Sequence, residues 1–98
     1  MLEKNIEMTI LEAIYGFCCN DIEGLKEIKS FICREFINGG LVQAEDKELL
    51  SSEVDSLVKF LKNVNCLNLV FFEGENPCFE TTREFSEMLG YTFKGEGI

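Results

Sequence analysis

Residues 51–89 limit the possible folds of this chain more than any other stretch. In letters they run SSEVDSLVKFLKNVN, CLNLVFF, EGENP, CFE and TTREFSEML. The first block places Val54, Leu57, Val58, Leu61 and Val64 at the three-and-four spacing of one helix face. Phe60 and Cys66 extend that face. Leu67–Phe72 is dense in strand formers with partial alternation. Glu73-Gly74-Glu75-Asn76-Pro77 is turn chemistry: glycine for positive φ, asparagine and proline as turn residues. Cys78-Phe79-Glu80 is the returning strand. Thr81 and Glu84 then stand at capping-box spacing, where each side chain satisfies the other's backbone N–H. A helix over about 82–89 follows, burying Phe85, Met88 and Leu89 and stopping at Gly90.

Two helices precede this unit. Residues 4–19 carry Ile6, Ile10, Ile14 and Phe17 as an apolar stripe, with Leu11 and Ala13 beside it. Glu3 and Glu7 sit near the N-terminal end, where negative charge suits the helix dipole. Asn20 and Glu23 form a capping box for a second helix over about 21–37. Its stripe is Leu25, Ile28, Ile32 and Phe36, with Phe31 and Cys33 at the margins, and Gly39-Gly40 ends it. The connection from Asn38 to Leu50 is longer than usual between helices, so it is expected to hold structure of its own. Leu41-Val42 is a candidate third strand, and Glu45–Glu48 a candidate helical turn. Ser51-Ser52 opens the third helix, over about 52–64, with Ser52 and Asp55 in cap spacing. The whole reads as one domain over 1–98, with residues 95–98 as a mobile tail and Tyr91 and Phe93 packed back on the body.

In its C-terminal half the chain resembles small bacterial and archaeal regulators of the winged-helix superfamily. Val54-Asp55-Ser56-Leu57-Val58-Lys59-Phe60-Leu61 matches the recognition-helix position, and Leu67–Phe72 with Pro77–Glu80 matches the wing. Thr81-Thr82-Arg83-Glu84-Phe85 resembles the Thr-x-x-Gly-x start of the last helix there, with Glu84 in the glycine's place. The resemblance implies an α+β, mainly helical fold: a three-helix core, a two- or three-stranded β-wing and a C-terminal helix. It also implies DNA binding through Ser52, Ser56, Lys59, Lys62 and Asn63 of the third helix and through the wing, and dimerisation through the first or last helix.

Charge argues against the first of these functions. The 98 residues hold 18 acids, 9 bases and no histidine, for a net charge of −9. Neither half is basic, and neither MLEKNIE at the start nor FKGEGI at the end supplies a basic tail. Affinity for nucleic acid rests on Lys and Arg displacing counterions from phosphates, and this field repels a polyanion. The wing turn carries Glu73 and Glu75 where the resembled family usually has Arg or Lys. Lys59 and Lys62 are then simply the solvated side of a helix.

A protein-binding role, with another protein or a second copy as partner, suits the composition better. Phe71, Phe72, Tyr91 and Phe93 are the candidate apolar centre of such a surface, unless they are core. Catalysis has little to rest on: there is no histidine, nucleophile motif or glycine-rich phosphate loop. No cofactor or metal is expected. The cysteines, Cys18, Cys19, Cys33, Cys66 and Cys78, are odd in number and lack a Cys-x-x-Cys pair, which fits reduced thiols in core packing. Cys18 and Cys19 with Cys33 are the one combination suited to a soft metal or redox chemistry. No apolar run approaches a membrane span and no signal peptide is evident, so the expected location is cytoplasmic.

Overall fold

The computed structural model describes residues 2, 5–19 and 21–90 of the 98-residue chain. The elements run α1 (Ile6–Cys18), β1 (Glu23–Gly24), α2 (Leu25–Asn38), a 3-10 turn (Ala44–Asp46), α3 (Lys47–Asn63), β2 (Leu67–Glu73), β3 (Asn76–Thr81) and α4 (Arg83–Met88). The three strands form an antiparallel sheet with β3 between β1 and β2. The fold is therefore α+β, with helices against a small sheet. None of the described helices is long and apolar enough to cross a membrane.

Helical periodicity builds the core. Ile6, Ile10, Ile14 and Cys18 line the inner face of α1. Ile28, Ile32, Cys33 and Phe36 do so on α2, and Leu50, Val54, Leu57, Val58 and Leu61 on α3. Leu67 and Phe79 close this core from the sheet, and Phe85 from α4. Each such Leu, Ile or Phe contributes about 1.5–3 kcal/mol by leaving water. Phe17, at the margin, stacks on Phe31 at 4.4 Å between ring centres, and Tyr15 meets Phe85 edge-on at 5.1 Å.

Several local expectations fail, each for a physical reason. The second helix begins at Leu25 and not at residue 21, because Glu23 and Gly24 are taken by β1, paired with Phe79 and Cys78. The cap expected from Asn20 falls outside the described residues. The cap is supplied from the far end of the chain: Asn76 Oδ1 accepts the Lys26 backbone N–H at 2.9 Å, and Asn76 Nδ2 donates to Glu27 Oε1 at 2.9 Å. Gly24 makes room for this arrangement, since a Cβ there would collide with the Asn76 amide and the Glu27 carboxylate.

The third strand is thus β1, not Leu41-Val42. Gly40, at φ 78°, closes α2, and the Leu41 and Val42 N–H groups both turn back to the Phe36 carbonyl. Val42 is a buried plug. The third helix starts at Lys47, behind the 3-10 turn, so Ser51 and Ser52 lie inside it instead of capping it. Phe60 and Val64 are exposed, not buried. Cys66 is buried but lies beyond the helix, where Asn65 at φ 65° reverses the chain and the Cys66 N–H reaches the Leu61 carbonyl at 2.8 Å.

Thr81 ends β3 and caps nothing. Thr82 is the residue before α4, and its hydroxyl donates to the Asn65 carbonyl at 2.6 Å, fastening α4 to the corner between α3 and β2. On α4, Met88 is exposed and Leu89 half-buried, while Ser86 is buried and donates to the Arg83 carbonyl at 2.9 Å. The expectations placed on Tyr91, Phe93 and residues 95–98 lie outside the described residues.

Candidate interaction surfaces around the hairpin

β2 and β3 are joined by the two residues Gly74 and Glu75, with Glu73 opposite Asn76. Gly74 has φ 66°, which the first position of so tight a primed turn requires. Leu67 pairs with Thr81 and Leu69 with Phe79, side chains toward the core. Then one residue is inserted: Phe71, not Val70, stands opposite Cys78. This β-bulge breaks the in–out alternation and increases local twist. Val70, Phe71 and Phe72 are all left exposed, the two phenylalanines at 49% and 59%.

β2 is also an edge strand, bonded to β3 on one side and to no other strand among the described residues. An edge strand offers a row of backbone N–H and C=O groups to an incoming chain. Acids lie at both ends of this run: Glu73 and Glu75 at the turn, and at the other end Glu80, opposite Asn68, whose Nδ2 donates to its carboxylate at 2.8 Å.

The α3 residues singled out for nucleic acid, Ser52, Ser56, Lys59, Lys62 and Asn63, are all exposed. They share that surface with Asp55, which pairs with Lys29 at 3.1 Å. Glu53 is half-buried on the same helix. Its carboxyl is held above the usual range, first by burial and then by the Glu7 carboxyl hydrogen-bonded to it. Lys62 sits in the last turn of α3, where a cation suits the helix C-terminus regardless of any ligand.

Thiol chemistry is muted. The Cys18 thiol is pushed up to about 12, mostly by burial and then by Glu23, Asp21 and Cys19. Burial also raises Cys33, Cys66 and Cys78. Thiols so raised stay protonated and make poor nucleophiles or ligands. Among the described residues no group of three or more Cys, Asp and Glu side chains is placed to hold a metal.

Sequence reading did not anticipate a groove between α2 and the hairpin tip, about 980 Å³ in volume and flanked by the start of α3. It gathers Lys26, Lys29, Arg34 and Lys47 along one wall and floor. The spacing of Lys26 and Lys29, three residues apart on α2, was the available signal. Their convergence with Lys47 depends on how α2 and α3 pack. Comparison of the chain with protein-family models, curated proteins and solved structures found no match.

Proposed function

We propose that this chain is a non-catalytic, winged-helix-like interaction module that binds another protein through the outer edge of its wing. The winged-helix reading is supported by the element order, with a short strand joining the hairpin as a third member ahead of the second helix. The observation that carries the function is the run Val70-Phe71-Phe72, exposed on an edge strand. Covering each phenylalanine returns about 1.5–3 kcal/mol, and the free strand edge lets a partner add backbone hydrogen bonds. The acidic rim selects a partner with Lys or Arg around its own apolar strand. It also works against pairing with a second copy, since every copy has a net charge of −9.

The experiment compares the wild-type chain with a Phe71→Ser/Phe72→Ser variant. Both are used to capture proteins from an extract of the source cells, and both are titrated with mixed-sequence duplex DNA at low and rising salt. A captured protein that binds the purified wild-type chain directly and is lost with the variant supports the reading. Duplex binding that falls steeply with salt, together with capture indifferent to the two substitutions, replaces it with the regulator reading through Ser52, Ser56, Lys59, Lys62 and Asn63.

A further inference from the structure

The inner side of the hairpin presents different chemistry from its outer edge. The groove between α2 and the hairpin tip is lined by Lys26, Lys29, Arg34 and Lys47, four of the 9 basic residues in the chain. Between them lie apolar positions, Cys33 and Ile37 on α2 and Pro77 on the hairpin. Lys29 of α2 and Lys47 of α3 line the groove with Cys33, so cations from two helices share one concavity. We propose that this groove binds an extended acidic peptide segment of a partner protein, with apolar residues between its acids.

Sign, shape and availability support this occupant. A chain with a net charge of −9 repels an acidic segment over most of its surface, so a concentration of cations in one concavity defines where such a segment can settle. The groove follows α2 from Lys26 to Ile37, a rise of about 16 Å. That length matches about five residues of extended peptide at about 3.3 Å each. Among the described residues, neither Lys26 nor Lys47 forms a salt bridge. Lys29 is paired with Asp55 and Arg34 with Glu35, both at partly exposed sites where such pairs are weak and exchangeable.

Glu73 and Glu75 stand at the hairpin end. They direct the acids of the peptide toward Arg34 and Lys47 and its apolar residues toward Pro77. The proposal does not depend on β2, and either site can exist without the other.

The test is selection from a displayed library of random hexapeptides on the immobilised full chain. Selected peptides are then measured by fluorescence anisotropy and by amide chemical shifts. The expected result is enrichment of Asp or Glu next to Leu, Ile or Phe, with shifts concentrated on α2 and the start of α3. Affinity falls at least tenfold in an Arg34→Glu/Lys47→Glu variant and is unchanged in Phe71→Ser/Phe72→Ser. Both charges are at the surface, and unchanged circular dichroism shows that the variant folds. The proposal is overturned by selected peptides without acids, by binding indifferent to charge reversal, or by shifts confined to β2. Displacement of the peptide by low concentrations of inorganic phosphate or citrate also overturns it, by making the groove a small-anion site.

Discussion

The two long strands of the sheet belong to one hairpin, yet they have opposite relations to the rest of the molecule. β3 is central: it pairs on both sides, its Phe79 is 4% exposed, and its Asn76 caps a helix. β2 is peripheral past its bulge, and three consecutive apolar side chains there face solvent. Hydrophobicity runs against the contrast: the peripheral strand, LNLVFFE, is the more apolar of the two, and the central one is NPCFET. What separates them is that β1 and α2 pack on the β3 side, leaving the far edge of β2 open. Phenylalanine therefore stabilises the fold as Phe79 on one strand and stays exposed as Phe71 and Phe72 on the other.

Substituting Phe79 and Phe72 in turn is the hardest test of that contrast. Phe79→Ala is expected to cost about 3–5 kcal/mol, since it removes a buried ring from the core. Chemical denaturation measures this, and a loss below about 1 kcal/mol would make Phe79 as dispensable as Phe72. Asn76→Ala comes next, at about 1–2 kcal/mol, with faster amide exchange at Lys26. Gly24→Ala should match it, because the new methyl displaces the same amide. Phe72→Ser is expected to leave stability within about 0.5 kcal/mol while weakening binding of the partner protein, read by capture on the immobilised chain.

The smallest effect concerns a carboxyl pair away from the hairpin. Glu53 has a raised pKa in the folded chain, so between the ordinary carboxylate range and that raised value the folded state holds the proton longer. Stability contributed by this group is greatest at low pH and declines as pH rises through that window. Glu53→Gln should therefore raise the melting temperature slightly at neutral pH and flatten that decline.

Much of the fold was legible because its signals are local. Ile6, Ile10 and Ile14 repeat on one turn spacing, as do Val54, Leu57, Val58 and Leu61, and a glycine between two strand-forming runs marks a hairpin. The misreadings share a different origin. Asn20 and Glu23 look like a cap because both lie beside the helix, but the group that caps α2 lies on the hairpin and β1 owes its existence to β3. Nothing near Glu23 announces either partner. Ser51 and Ser52 resemble a helix start, yet the 3-10 turn ahead of them lets α3 begin sooner. At the candidate surfaces, the identities of Phe71 and Phe72 were legible. Their exposure was not, because the bulge that interrupts alternation depends on the register of two strands. The cationic groove was illegible for the same reason: its charges come from separate helices.

The long-distance cap on α2 also bears on how the molecule assembles. Asn76 lies 50 positions downstream of the N–H it satisfies. As the chain leaves the ribosome, α2 can coil early but cannot secure its first turn until the hairpin has been synthesised and has closed. The start of α2 should therefore stay open to proteases in shortened chains that stop before β3, and become resistant in the same step that the sheet zips shut.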